Sequence, residues 1–262
     1  KQWDRPRVDT AYLERVWLNR WRKSNSMFFD LSKIMGDPQT PAGEPRGLVR
    51  PGVRIPDGAF VALGFDGARF RDATALVATD IRTGLQELLG LWERPGEADD
   101  WEVDEAEVTA LLAETMKRFS VYKLYADPPH WTETVGSWAA RWPDQVEEWW
   151  TARHKTMAYA LREYLEAMDA GIVTFGGAVI ADGDFSPHDD LIRHLGNAGA
   201  KALKILDDEG KPLYVMQKQD GKQELKFDAA MASTLSWKAV LDARKSGAQP
   251  RGSGGFIPFR VR

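Results

Sequence analysis

Cysteine is absent from the chain, and only four of its 262 residues are histidine. The lack of cysteine excludes disulfide bonds and thiolate metal sites, and it is consistent with a reducing compartment. Because imidazoles are so few, a metal site in this chain must rely mainly on carboxylate oxygens. Such oxygens suit Mg²⁺ or Mn²⁺ better than Zn²⁺.

Long apolar runs are also missing. No stretch approaches the roughly 20 residues needed to cross a bilayer, so we expect no membrane partner. The chain lacks a Gly-x-x-x-x-Gly-Lys-Ser/Thr loop, so we expect no ATP hydrolysis by this chain alone. The net charge of −4 argues against a broad nonspecific grip on nucleic acid. A few local lysines and arginines could still hold phosphates around an acidic site.

Three regions are expected along the chain. Residues 1–55 combine an amphipathic helix within Thr10–Lys23 with a proline- and glycine-rich linker. Residues 56–245 carry the patterns of a folded domain, and residues 246–262 form a glycine-rich tail. Because the chain begins at Lys1 rather than a methionine, we expect it to be part of a longer protein.

The folded region has the pattern of an α/β domain. Three apolar segments joined by short turns predict an antiparallel meander, and a fourth strand follows the first predicted helix. The predicted strands are Phe60–Phe65, Ala73–Ile81, Leu85–Trp92, Val121–Ala126 and Ile172–Phe175. The predicted helices begin at Asp104, at His154, at Ser186 with an apolar side through Ala202, and at Lys226. We therefore expect a mixed β-sheet flanked by helices.

Three aspartates follow or begin these elements in a telling way. Asp66 ends the first strand, Asp127 ends the fourth, and Asp228 lies in the first turn of the last helix. If the first and fourth strands are neighbours, Asp66 and Asp127 emerge at the same edge of the sheet. Three clustered carboxylates repel one another unless cations lie between them, and two Mg²⁺ ions about 4 Å apart drive phosphodiester hydrolysis.

Each acid also has a plainer interpretation. An aspartate before glycine or proline is commonly a turn residue, and an aspartate at a helix start favours the positive end of the helix dipole. Asp72 lies across the hairpin from Asp66 and could hold a metal-bound water or simply shape the turn. His188 and His194 are candidates for a proton shuttle or a phosphate contact, although a structural role is the more common one for such histidines.

Four segments resemble the nuclease domain of phage terminase large subunits. These segments are Gly64–Val77 with its hairpin, Tyr125–Pro129, His188–Ala198 with its Asn-Ala pair, and Lys226–Ala232, in the order that this family shows. The resemblance implies a ribonuclease H-like fold and an endonuclease that cuts concatemeric double-stranded phage DNA with two Mg²⁺ or Mn²⁺ ions. It implies catalytic, metal-binding roles for Asp66, Asp127 and Asp228, with Asp72 as an accessory acid.

The same resemblance suggests how the chain would work in its assembly. An ATPase motor precedes the nuclease in this family, and only residues 1–55 could be the end of such a motor here. The terminase small subunit and the portal protein are the expected partners, and the host bacterial cytoplasm is the expected location. The candidate DNA contacts are Arg69, Arg71, Lys201, Lys204 and Lys226.

The sequence leaves two other hypotheses about the function open. Transposases, integrases and junction resolvases of ribonuclease H-like fold share the same acid layout, although the His188–Ala198 segment and the long hairpin favour a terminase. The second alternative hypothesis is a docking domain of the packaging machine that has kept the fold but has no catalytic activity. The intact set of acids argues against it.

Overall fold

The computed structural model describes residues 27–250, except residue 38, residues 42–43, residue 71, residues 95–100, residues 180–184, residue 187 and residues 220–223. The helix predicted within Thr10–Lys23 therefore lies outside the described residues, as do Arg71 and most of the predicted tail. Within the described ranges, no helix is both long and apolar enough to cross a membrane.

A mixed β-sheet forms the centre of the fold. Its strands are β1 (Val49–Pro51), β2 (Phe60–Gly67), β3 (Thr74–Asp80), β4 (Leu85–Trp92), β5 (Ser120–Ala126), β6 (Val146–Glu148) and β7 (Thr174–Val179). They lie side by side in the order β1-β7-β4-β3-β2-β5-β6, and the short strand β8 (Phe185–Ser186) pairs with β7. The predicted meander is confirmed, because β2, β3 and β4 pair antiparallel in sequence order.

Helices cover both faces of this sheet. They are α1 (Leu31–Met35), α2 (Glu105–Arg118), α3 (Thr132–Arg141), α4 (His154–Asp169), α5 (His188–Asn197) and α6 (Asp228–Ser246). One apolar core lies under α2 and α3 and includes Phe65 and Trp138. A second core lies on the opposite face and includes Leu161 of α4, Leu195 of α5 and Leu235 of α6.

Helix α6 lies directly on the central strands because β2 has a glycine at the contact. A Cβ atom on Gly64 would stand 1.9 Å from the carbonyl oxygen of Ala232 and 2.5 Å from the backbone nitrogen of Ser236. Any other residue at this position would push the helix away from the sheet. Gly64 therefore sets the distance between strand β2, which carries Asp66, and the helix that begins with Asp228.

A buried hydrogen-bond network fixes α6 laterally. The Gln86 amide on β4 donates to Thr79 Oγ1 at 2.9 Å and to the Ser233 carbonyl at 3.0 Å. Gln86 Oε1 accepts from the hydroxyls of Tyr164 and Ser233, and Thr79 shares a 2.6 Å hydrogen bond with Ser236. Since buried polar groups are costly unless paired, this network favours a single position of the helix on the sheet.

The predicted helix through Ala202 is wrong in its last five residues. Helix α5 ends at Asn197, and residues Ala198–Leu206 form strand β9, which pairs antiparallel with β10 (Pro212–Lys218). At this point the backbone pairs with distant segments instead, and the Ala198 carbonyl accepts a hydrogen bond from the Phe28 backbone N–H at 2.8 Å. The Ala198 and Ala202 spacing suits a helix, but pairing with distant segments decides the structure here.

Residues before the predicted boundary at 55 contribute to the core. Phe29, Leu31 and Ile34 are buried with α4, α5 and α6, and β1 pairs in parallel with β7. Arg54 forms an ion pair with Glu87 of β4. The three-region division of the chain stays a prediction.

Candidate active site

Asp66 and Asp127 lie side by side on neighbouring parallel strands. Phe65 of β2 is opposite Ala126 of β5, and the next residue of each strand segment is the aspartate. The backbone N–H of Asp127 donates to the Phe65 carbonyl at 3.1 Å, which extends the pairing to the acids themselves. The first and fourth predicted strands are therefore neighbours, which was the condition for the two acids to emerge at the same edge, and Asp66 lies within the end of β2 rather than after it.

Asp228 is the first residue of α6 and reaches the same place from the helix side. Its carboxylate interacts with its own backbone N–H and with that of Ala73, the residue after Asp72. The positive end of the helix dipole favours a carboxylate here. The close contact at Gly64 holds this helix start against strand β2.

The four aspartates act on one another electrostatically. Burial raises the pKa of Asp66 well above its ordinary value, and the carboxylates of Asp228, Asp127 and Asp72 raise it further, in that order of effect. Asp66 remains partly accessible to solvent although protein surrounds most of its carboxylate. A cation that approached Asp66 from its solvent-accessible side would stabilise the charged form of this carboxylate.

Asp228 and Asp127 are perturbed in the same direction. Burial, with repulsion from Asp72, raises the pKa of Asp228 to about 6. Burial also raises the pKa of Asp127, although two hydrogen bonds from Thr151 oppose this effect. The backbone N–H of Thr151 donates to Oδ1 at 3.1 Å, and its hydroxyl donates to Oδ2 at 2.6 Å. Thr151 therefore fixes the orientation of the Asp127 carboxylate.

Asp72 differs from the other three because two lysines neutralise it. The Nζ atoms of Lys218 and Lys226 lie 2.5 Å and 3.2 Å from Asp72 Oδ1. Burial alone would raise the pKa of Asp72, but these two lysines hold it below the ordinary value. Lys226, one of the candidate DNA contacts, thus lies beside the acids, and Lys218 joins it from the end of β10.

The carboxylate oxygens of this site are the ligand type that a hard divalent cation prefers. The side chains are not, however, arranged around a common point where such an ion would bind. Across the described residues, no three histidine or acidic side chains converge closely enough to hold a metal ion as they stand. Asp127 is engaged by Thr151 and Asp72 by the lysines. Yet neighbouring carboxylates repel Asp66 and Asp228 and raise their pKa values, and carboxylate oxygens are the ligands that Mg²⁺ and Mn²⁺ prefer. The residues therefore fit such an ion by donor type and charge.

The other candidate DNA contacts divide into engaged and exposed side chains. Arg69 forms ion pairs with Glu105 and Glu102, so its guanidinium is held against the start of α2. Lys201 and Lys204 are exposed on β9. Arg71 lies outside the described residues, so its place relative to the acids is left as predicted.

His194 is a structural residue at the start of α6. It is fully buried, and its Nδ1 accepts the backbone N–H of Ala229 at 3.0 Å. Its Nε2 lies 3.1 Å from Glu93 Oε1, so this nitrogen carries the proton and donates to the carboxylate. His194 therefore positions the first turn of α6, next to Asp228, and both of its ring nitrogens are occupied. His188 begins α5, and its side chain lies outside the described part of the chain.

Three residues near the acids were not predicted from the sequence as part of the site. Thr151 follows β6 and Lys218 ends the unforeseen strand β10, so neither stands in a recognisable motif. His130 has a φ of 64°, unusual for a residue with a side chain, and its charge lowers the pKa of the nearby Asp127. The Pro-Pro-His sequence directly after Asp127 was the signal available for His130, since a tight turn is expected there.

A mixed sheet with an antiparallel meander, a parallel fourth strand and acids at the matching ends of the central pair is a ribonuclease H-like arrangement. Comparison with solved structures gives the more specific likeness. The large terminase nuclease from thermophilic phage G20c with bound magnesium aligns with 82% of this chain and 98% of its own, at 14% identity and a TM-score of 0.54. Its cobalt-bound form aligns over the same shares, at 14% identity and a TM-score of 0.50.

The HK97 bacteriophage large terminase gives a similar match, at 17% identity and a TM-score of 0.53. It aligns over 82% of this chain and 43% of its own, so this chain spans less than half of that protein. No protein-family profile and no curated protein matches the sequence. The chain has the fold of phage large-terminase nucleases, which confirms the resemblance and the ribonuclease H-like fold class at the level of structure.

Proposed function

We propose that this chain is a divalent-metal-dependent DNA endonuclease of the terminase large-subunit type. The observation that carries the proposal is the Asp66 carboxylate, which is surrounded by protein and repelled by three other aspartates. A protein gains nothing in stability from this arrangement, so a cation-binding role explains it better than a turn-forming one. The terminase fold and the magnesium and cobalt in similar nucleases support the same choice.

In this proposal Asp66, Asp127 and Asp228 hold two Mg²⁺ or Mn²⁺ ions, and Asp72 joins them as an accessory ligand. The bound ions would supply positive charge that lowers the pKa of the attacking water and stabilises the leaving 3′ oxygen. The chain's residues orient this set: Thr151 holds Asp127, and the start of α6 places Asp228.

The substrate we propose is double-stranded DNA, cut during packaging of a phage genome in the host bacterial cytoplasm. Lys226 is a candidate phosphate contact beside the acids, because its ammonium group bonds Asp72. Exposed Lys201 and Lys204 on β9 offer further positive charge for the DNA backbone. The terminase small subunit, the portal protein and an ATPase motor are the partners that this role requires.

Plasmid cleavage tests the proposal. Supercoiled plasmid is incubated with the protein in Mg²⁺, in Mn²⁺ or in EDTA, and the nicked and linear products are quantified on gels. We expect cutting in Mn²⁺ or Mg²⁺ and none in EDTA. Replacing Asp66 with asparagine should lower the cleavage rate at least about 100-fold, since it would remove a charged metal ligand.

A matched substitution separates the site from general effects of charge removal. Asp242 lies toward the other end of α6, where it bonds Tyr125 and Lys238. Asp242→Asn should cut plasmid at the wild-type rate. Equal cleavage by Asp66→Asn and the wild type would refute the assigned site. Absence of cleavage in both metals, with no Mn²⁺ binding, would refute the function and favour the docking domain.

A further inference from the structure

One carboxylate oxygen in the site binds two lysines from different parts of the fold. Asp72 Oδ1 accepts from Lys218, the last residue of β10, and from Lys226, in the segment before α6. The lysine side chains are only 18% and 16% exposed, so both ammonium groups are largely withdrawn from water. The β9–β10 hairpin is thereby tied to the acid cluster through a single oxygen.

These lysines place two positive charges on one carboxylate oxygen of Asp72. Two ammonium groups bring the same total charge as one divalent ion, and both ammonium groups bond the same carboxylate oxygen, Asp72 Oδ1. An ion bound at Asp72 would repel both ammonium groups strongly at such short distances. Binding of the lysines and binding of the ion at Asp72 are therefore alternatives.

We propose that Lys218 and Lys226 form an exchangeable internal cation pair: divalent ions displace them from Asp72, and the released ammonium groups bind the DNA backbone. This inference rests on the proposed nuclease function and adds a coupling to it. Metal capture and DNA capture then reinforce each other, because each removes a competitor from the other's binding groups. Without metal, the lysines are held on Asp72 and contribute little to DNA binding.

The pair also explains why Asp72 differs from its neighbours. Lys218 and Lys226 lower the pKa of Asp72, whereas Asp66, Asp127 and Asp228 all have raised values. Asp72 is thus the most readily ionised of the four acids, and the two lysine ammonium groups already neutralise it. Asp72 can bind a divalent ion as an accessory ligand only after that ion displaces the lysines.

Metal binding in the absence of DNA gives the first test. Lys218→Met keeps the length of the side chain and removes its charge, so it removes one competitor of the ion. We expect its Mn²⁺ affinity, measured by isothermal titration calorimetry, to exceed that of the wild type by about 3- to 10-fold. The matched control is Lys211→Met, at the other end of β10, where Lys211 bonds Glu209 at an exposed turn. It should bind Mn²⁺ as the wild type does.

DNA binding as a function of salt gives the second test, with a labelled duplex, fluorescence anisotropy, and either Ca²⁺ or EDTA. Each phosphate contact adds about 0.9 to the slope of log affinity against log salt. Lys218→Met should lower this slope by about 1 in Ca²⁺ and leave it unchanged in EDTA. Lys218→Arg, which keeps the charge, should retain the wild-type slope, and thermal melting should show that each variant is folded.

Several outcomes would overturn the inference. Unchanged or weaker Mn²⁺ binding by Lys218→Met would mean that the lysine does not compete with the ion. An equal loss of slope in Ca²⁺ and EDTA would mean that Lys218 contacts DNA without any exchange. In both cases a wild-type protein that still cuts plasmid leaves the nuclease function standing. A wild type that neither binds Mn²⁺ nor cuts would refute both proposals.

Discussion

The stability of the protein without divalent ions should fall as the pH rises, because of the acid cluster. Burial, with repulsion from Asp72, raises the pKa of Asp228 to about 6 from an ordinary 3.8. Between these values the folded protein keeps a proton that the unfolded chain has lost, so folding is favoured at the acidic end of the window. The contribution is complete below about pH 4 and is lost as the pH rises through about 6. Asp66 acts in the same direction.

The magnitude follows from the difference between the two pKa values of Asp228. It corresponds to at most about 3 kcal/mol, since one pKa unit is about 1.4 kcal/mol and the group is partly accessible to solvent. Asp228→Asn removes the charge with little change in shape. In EDTA at about pH 7.5 we therefore expect this variant to be more stable than the wild type by about 1–3 kcal/mol.

Urea unfolding followed by tryptophan fluorescence measures this difference, in EDTA from about pH 4.5 to about pH 7.5. The gain in Asp228→Asn should shrink toward zero at the acidic end. Asp207→Asn is the control of opposite sign, because a backbone hydrogen bond from Lys211 lowers the pKa of Asp207. It should not gain stability at neutral pH. A loss of stability in Asp228→Asn near pH 7.5, or a gain that does not vary with pH, would mean that the Asp228 charge does not destabilise the folded protein.

Three further substitutions, two of them paired with a control substitution, test how the site is positioned. Gly64→Ala should destabilise the protein by about 3 kcal/mol or more in the same urea assay, because the new Cβ would collide with the backbone of α6. The control is Gly136→Ala, which lies in open space on α3 and should stabilise the protein by about 0.5–1 kcal/mol. Thr151→Val should weaken Mn²⁺ binding in calorimetry about 10-fold while Thr151→Ser preserves it, since the hydroxyl orients Asp127. His194→Ala should cost about 1–3 kcal/mol in urea and weaken Mn²⁺ binding as well, because it leaves a buried backbone N–H at the start of α6 unpaired.

The acids could be foreseen because their positions depend on local patterns. Short apolar runs bounded by turn residues locate β2 and β5, and each strand pattern stops at an aspartate. The helix pattern of α6 places Asp228 in its first turn. What remained was whether β2 and β5 are neighbours, and the meander left that edge of β2 free for β5 to occupy.

The partners of these acids could not be foreseen from the same patterns. The alanines after Asn197 continue a helical spacing, but the backbone there pairs with Met27 and Phe28, far away in sequence. Missing β9 also meant missing β10 and Lys218. Thr151 acts through a contact between segments 24 residues apart, and such contacts leave no periodic trace in a sequence.

Crystals of the protein soaked in Mn²⁺ test the central claim most directly, through anomalous scattering at the manganese edge. We expect Mn²⁺ bound at about 2.1–2.3 Å from carboxylate oxygens of Asp66 and of Asp127 or Asp228, with Lys218 displaced from Asp72. Manganese found only elsewhere on the protein, or absent at saturating concentration while the four aspartates stay in place, would contradict the central claim.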